Sequence, residues 1–241
     1  MPKFTTKLVA RSPAAEGTMS FFFERPPNFN FKAGQFFTVI LSNPPYNDEK
    51  GNRRTFSIAS APQEAARLQM TTRLTGSALK RSLAEIALGT PVELLGPAGT
   101  FTLHADTAIP AVFIAGGIGI TPFRSMILDA VARNLPHQIT LIYSNRNLEG
   151  AAFHEELQQL ALASKNFKYV PTLTQADKSP HSWNGERRYV NAAFLRDHAG
   201  DLGKAIFYLA GPPGLVTALS KTLTEAGVNP ERVLAEEFEG Y

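Results

Sequence analysis

Hydrophobic and polar positions follow two different rhythms along this chain. Up to residue 103 the apolar positions come in short bursts. Segments 4–9, 18–24, 35–41, 54–60, 68–73 and 92–95 read as strands, interrupted by Pro26-Pro27, the polar stretch 43–52, residues 62–64 and Gly96-Pro97. One helical period, Leu79, Leu83 and Ile86 within 77–87, lies among them. Many short strands spaced by turns predict a small antiparallel β-barrel.

Beyond residue 108 the rhythm lengthens. Strand patterns at 111–115, 139–144, 168–172 and 206–210 alternate with helical patterns near 122–133, 151–163, 191–199 and 213–226, and a last strand pattern covers 232–237. Such alternation predicts βαβ units and a parallel sheet. The expected fold is therefore an N-terminal antiparallel β-barrel, residues 1–105, followed by a C-terminal α/β parallel-sheet domain, residues 106–241. The polar connection 103–110 joins them. A cleft between two such units is where a small molecule usually binds.

Composition narrows the chemistry. At 44% hydrophobic and 19% charged, the chain is that of an ordinary globular protein. Its 24 basic and 21 acidic residues leave a formal charge of +3, with the basic residues scattered, which argues against a nucleic-acid footprint. With no cysteine, the chain forms no disulfide, thiolate zinc site, cysteine-ligated iron–sulfur cluster or thiol nucleophile of its own. The five histidines, His104, His137, His154, His181 and His198, are far apart; they are expected on the surface or in loops, and no metal site is expected. No Gly-x-Ser-x-Gly elbow is present. Residues 1–10 carry Lys3 and Lys7 without an apolar segment, and no run approaches a membrane span, so the expected compartment is the cytoplasm.

The segment 111–122 is the most informative. A doubly apolar run ends on Gly116, Gly117 and Gly119, then Thr121-Pro122 opens a helical pattern. Thr121 is expected as helix N-cap and Pro122 in the first turn. Backbone N–H groups and the helix dipole would then face a phosphate, with the glycines clearing its approach. An ordinary strand–helix turn needing positive φ is the plainer alternative.

Further motifs occur in order: Arg54-Thr55-Phe56-Ser57; Thr72-Arg73-Leu74-Thr75-Gly76-Ser77-Ala78-Leu79-Lys80; Gly116–Pro122; Tyr143-Ser144-Asn145-Arg146; Ala210-Gly211-Pro212-Pro213-Gly214; and the terminal Glu236-Glu237-Phe238-Glu239-Gly240-Tyr241. Together, from Gly34-Gln35 to Tyr241, the sequence resembles the ferredoxin–NADP⁺ reductase superfamily. The resemblance implies FAD and NADPH or NADH as cofactors.

It assigns Arg54 to the flavin pyrophosphate, where a guanidinium fork suits phosphate. Thr55 belongs to the same stretch, Phe56 packs beside the flavin, and Ser57 reaches flavin N5. Strand alternation puts Arg54 and Phe56 on one face and Ser57 elsewhere. Gly76 and Ser77 cradle the flavin diphosphate at a helix start, with Arg73 and Lys80 adding charge or lying exposed. Gly116, Gly117, Gly119, Thr121 and Pro122 serve the nicotinamide coenzyme, and Gly211 and Pro212 bracket its ring. Ser144 and Arg146, in place of acidic residues, favour a 2′-phosphate and hence NADPH; an Arg146–Glu149 surface pair is the alternative. Tyr241 would stack on the flavin and act as a gate. Glu237 would manage a proton or contact the nicotinamide amide, or be a solvated charge at the strand end.

Phe56 and Ala210 depart from the family's tyrosine and cysteine. The implied activity is hydride transfer from NAD(P)H to flavin N5, with electrons passed to a separate acceptor, for example a ferredoxin or flavodoxin. A mildly basic surface would attract an acidic ferredoxin. A non-catalytic flavin- or nucleotide-binding regulatory or electron-transfer subunit is the alternative, and a flavin-free dehydrogenase is a third reading.

Overall fold

A computed structural model describes residues 1–238 of the chain. Strands β1 (Lys3–Ala15), β2 (Thr18–Glu24), β3 (Phe36–Ile40), β4 (Arg53–Ser57), β5 (Arg67–Arg73) and β6 (Pro91–Ala98) form one sheet in the order β4-β3-β6-β1-β2-β5, with every pairing antiparallel. Beyond β4 the Ala59 N–H donates to the Gln69 carbonyl at 2.8 Å, which ties the two outer strands together and curls the sheet into a barrel.

Alternation explains the filling. Phe21 and Phe23 of β2, Phe37 and Val39 of β3, Leu68 and Met70 of β5, and Val92 and Leu94 of β6 are buried inward at every second position. Helix α1 (Ala78–Glu85) closes the barrel by inserting Leu79 and Leu83. Burying each such side chain contributes about 1.5–3 kcal/mol.

Strand β1 runs well past the apolar burst that predicts it. Its first half pairs with β6 and its second half with β2. The second half has a purpose that periodicity does not reveal: Arg11 donates to the carbonyls of Ala84 and Ile86, at the C-terminal end of α1. A cation there satisfies orphan carbonyls and opposes the helix dipole.

The rest of the chain is β7 (Ala111–Gly116), α2 (Ile120–Ala132), β8 (Ile139–Asn145), α3 (His154–Ala163), β9 (Phe167–Leu173), α4 (Ala192–Ala199), β10 (Ile206–Gly211), α5 (Pro213–Glu225) and β11 (Val233–Glu237). The strands form a parallel sheet ordered β11-β10-β7-β8-β9. Central β7 is buried along its whole length, which is why it reads as a continuous apolar run. Phe113, Ala115, Leu141 and Tyr143 meet α2 and α3 on one face; Val112, Ile114, Ile142 and Leu209 meet α4 and α5 on the other.

One of the loop histidines is buried rather than exposed. His137 is only 4% exposed, and its Nε2 lies 2.9 Å from the His104 carbonyl. His104 in turn meets the buried Tyr208 hydroxyl through its backbone N–H (2.9 Å) and Nδ1 (3.0 Å). These rings seal the junction between the two units, because a connection laid across a buried tyrosine has to satisfy its hydroxyl.

Candidate functional site

A cleft of about 850 Å³ opens between the barrel and the parallel sheet. Every barrel residue singled out from the sequence lines it: Arg54, Thr55, Phe56 and Ser57 from β4, Arg73 at the end of β5, Gly76 and Ser77 ahead of α1, and Lys80 in its first turn. From the other unit come Ile118, Thr121, Glu236, Glu237 and Phe238. Gly116, Gly117, Gly119, Pro122, Ser144, Arg146, Gly211 and Pro212 are not among the lining residues. They gather instead at the carboxyl ends of β7, β8 and β10, where Gly116 and Ser144 stand in register. Tyr241 lies outside the described residues.

Arg54 is not an open fork. The loop between β3 and β4 doubles back, so Arg54 donates to Asp48 Oδ1 at 2.6 Å and to the carbonyls of Lys50, Gly51 and Arg53 at 2.7, 2.9 and 2.7 Å. The second oxygen of Asp48 accepts the Ala78 N–H at 2.9 Å, the first helical N–H of α1. That N–H, then Arg54, holds the Asp48 carboxyl below its usual range. One carboxylate therefore spans the guanidinium and the helix start, the two groups expected to receive a diphosphate.

Ser77 sits at the N-cap position but makes no cap bond; its buried Oγ has no hydrogen-bond partner among the described residues. Burial, and then repulsion from Arg54, pushes the Lys80 amine down. Two neighbouring cations, a helix start and an orphaned buried hydroxyl suit an anionic group. The set fits the diphosphate of a flavin dinucleotide.

The rest of β4 is ordered by its neighbour. Thr55 Oγ1 lies 2.9 Å from Thr38 Oγ1 on β3, Phe56 stands opposite Phe37 and packs against the barrel core, and Ser57 is 5% exposed where the strand ends. The separation of Ser57 from Arg54 and Phe56 expected from alternation does not keep it out of the site, because the cleft wraps around the end of the strand.

The glycine turn also corrects one expectation, the capping role of Thr121. Helix α2 begins at Ile120 after a 3₁₀ turn, Gly117–Gly119, so Gly119 occupies the cap position. Thr121 lies inside the first turn, and its Oγ1 donates to the Ile118 carbonyl at 3.2 Å. Gly117 takes a φ of +51°, the left-handed region that glycine favours. At Gly119 the requirement is different. A Cβ there would come 2.2 Å from the Ala210 carbonyl oxygen, so glycine is needed for backbone to meet backbone.

At the end of β8, Arg146 is exposed and forms no ion pair with Glu149 among the described residues. Glu149 instead accepts from the Ser179 hydroxyl at 2.6 Å and faces His181 at 3.9 Å. Of the two terminal glutamates, Glu237 is exposed and Glu236 is half-buried. Burial pushes the Glu236 carboxyl up to about 7. The expectation placed on Glu237 leaves out Glu236, although alternation from Leu234 already places 236 on the inward face.

Comparison with known proteins follows the same outline. Residues 113–221 match the oxidoreductase NAD-binding domain family. The chain is 33% identical over 233 residues to the reductase component DmpP of phenol 2-monooxygenase from Pseudomonas sp. (strain CF600), covering 96% of this chain and 63% of that protein. It is 31% identical over 213 residues to ferredoxin–NADP reductase B of Sorangium cellulosum (strain So ce56), covering 87% of this chain and 82% of the relative. Among solved structures, a ferredoxin NADP⁺ reductase from Neisseria gonorrhoeae with bound FAD and NADP shares the fold at a TM-score of 0.81 and 22% identity, covering 98% of each chain.

Proposed function

Because the chain belongs to the ferredoxin–NADP⁺ reductase superfamily of flavin- and NAD(P)-dependent oxidoreductases, we propose that it takes hydride from NADPH or NADH and passes electrons singly to a separate protein acceptor. The observation that carries this reading is the cleft, where two cations, an orphaned serine hydroxyl and an aromatic strand converge on one face and Thr121 and Glu236 approach from the other.

In this reading Arg54, Lys80, Ser77 and the start of α1 hold the FAD diphosphate, and Phe56 and Ser57 flank its ring. When bound, the flavin supplies the conversion of one two-electron donor into two one-electron deliveries. The chain's own task is positional. The Phe56 ring gives an apolar surface, the buried Ser57 offers a hydroxyl, and Phe238 helps to line the cleft against water. Glu236, with its raised proton affinity, stores a proton at the cleft wall near neutral pH. The turn Gly116–Thr121 and the Gly211-Pro212 turn receive the coenzyme at the carboxyl ends of the strands, where open α/β sheets bind ligands.

Exposed Arg146, making no ion pair with a described residue, supports a 2′-phosphate and therefore NADPH. The acceptor must carry its own redox centre, since the chain has no cysteine to ligate an iron–sulfur cluster. A ferredoxin- or flavodoxin-type carrier fits that requirement. Among the described residues no helix is long and apolar enough to cross a membrane.

The test is optical. Protein reconstituted with FAD should be yellow and should bleach under anaerobic NADPH. A preparation that takes up no FAD sinks the reading. One that binds FAD but is bleached by neither nucleotide is a binding subunit rather than a reductase, and equal bleaching rates with NADPH and NADH undo the argument from Arg146.

A further inference from the structure

The two walls of the cleft belong to different folding units, so something must fix their separation. Arg124 lies one turn beyond Thr121 on α2 and is 8% exposed. Its Nε and Nη2 donate to the two carboxylate oxygens of Glu156 on α3, at 2.6 and 2.7 Å. Its Nη1 crosses to the barrel, donating to the Ala59 carbonyl at 2.6 Å and to Gln69 Oε1 at 3.1 Å. The guanidinium also lies over the Phe153 ring, 4.7 Å from its centroid. Phe153 is held at φ +63°, a left-handed conformation rare for a bulky residue, just ahead of α3.

The neighbouring Ser125 makes a second crossing, its Oγ donating to the Ser60 carbonyl at 2.6 Å. On the barrel side the acceptors are themselves fixed. The Gln69 backbone N–H donates to Ser60 Oγ at 3.1 Å, and its side-chain amide donates to Ser20 Oγ at 3.0 Å.

The route between the walls is short. Ala59 stands two positions after Ser57, and Arg124 stands three after Thr121. Glu156 orients the guanidinium plane within its own unit, and the remaining edge grips the barrel backbone beside Ser57. A half-buried ion pair is weak evidence for stability, since the desolvation of its ions offsets much of their attraction. What it supplies is direction: a planar fork engaged on both edges permits one mutual orientation.

We propose that Arg124 is a positioning residue that sets the distance between the Ser57 wall and the Thr121 wall, and so the distance between the flavin and the nicotinamide. This rests on the hydride-transfer reading above. Arg124 does not touch the reacting groups; it acts through Ala59 and through α2.

The experiment uses FAD-loaded wild type, Arg124→Lys, Arg124→Met and Ser125→Ala, with melting temperature, anaerobic single-turnover reduction by NADPH and the long-wavelength absorbance produced by nicotinamide–flavin stacking. Arg124→Lys keeps a charge for Glu156 but lacks the fork, so it should recover most of the melting temperature lost in Arg124→Met. Both should still reduce at least about tenfold more slowly at saturating NADPH, because small misplacements of reacting rings are costly in rate. Their NADPH affinity should change by less than about threefold, and the stacking absorbance should be weakened. Ser125→Ala should shift rate and absorbance in the same direction by less, and it carries the test if Arg124→Met fails to fold.

Reduction at the wild-type rate with full stacking absorbance in Arg124→Lys and Ser125→Ala would overturn the positioning role and leave Arg124 a structural tie. If the wild type itself takes up FAD but is not bleached, the hydride-transfer reading fails and this proposal falls with it, an outcome distinguished by the wild-type control alone.

Discussion

Glu236→Gln is the sharpest probe of the cleft's electrostatics. The carboxyl lies on the inward face of β11 and burial pushes its pKa from 4.5 to about 7. Each pKa unit corresponds to about 1.4 kcal/mol, so the folded protein prefers the neutral acid over the ion by roughly 3 kcal/mol more than the unfolded chain does. The sign follows from proton counting. Between about pH 4.5 and pH 7 the folded state holds a proton that the unfolded state has released, so this site's contribution to stability is fully present below the lower limit and is lost as pH rises through the upper one.

Glutamine keeps the shape and cannot ionise. The variant should therefore gain stability relative to wild type as pH rises, by an amount approaching roughly 3 kcal/mol at pH 8 compared with pH 4. Urea denaturation of the pair at matched FAD, read by tryptophan fluorescence across that range, measures the difference directly. Infrared difference spectroscopy should also find a protonated-carboxyl band in wild type at pH 6 that is missing from the variant. Parallel stability curves with no such band would show that Glu236 is ionised and solvated, and the proton-storage role would be withdrawn.

Three further outcomes are expected. Asp48→Asn removes the carboxylate that spans Arg54 and the start of α1, so FAD affinity measured by quenching of flavin fluorescence should rise; an unchanged or weaker affinity would mean that the carboxylate does not compete with the diphosphate. Gly119→Ala places a methyl group 2.2 Å from the Ala210 carbonyl oxygen and should destabilise the protein by about 1–3 kcal/mol, read as a drop in denaturation midpoint that replacing the exposed Ala235 by serine does not produce. Arg146→Glu should lower the ratio of kcat/KM for NADPH over NADH by at least about tenfold, the order expected for losing one charge-assisted phosphate contact, and an unaltered ratio would remove Arg146 from coenzyme selection.

Much of the architecture was legible because it rests on periodicity. Short apolar bursts between turn signals mark β2 and β5, and the doubly apolar run marks β7 as a buried strand. The barrel half of the site was legible because its residues are adjacent in sequence: a stretch from Arg54 to Ser57 cannot be far apart in any fold. Contacts between distant segments were invisible. Asp48 lies in a loop whose composition says only that it turns, and nothing local indicates that it reaches Ala78. Arg124 reads as one of several polar residues in a mostly apolar helix, and its partners Ala59 and Glu156 come from opposite sides of it in the chain. Thr121 is not the cap because the preceding 3₁₀ turn starts the helix early, and a two-residue shift in a helix start changes what its first side chains do. Glu236 was missed for a different reason: two adjacent glutamates look equivalent until the phase of the strand is applied.

The junction at Gly119 and Ala210 has an evolutionary corollary. Main chain pressed on main chain offers selection nothing to tune at position 119, because any side chain there would pry the turn away from the end of β10. Under the proposed reading, the exposed tip at Arg146 is the place with room for changes in coenzyme preference, while the clasped turn at 119 holds its glycine whichever coenzyme is used.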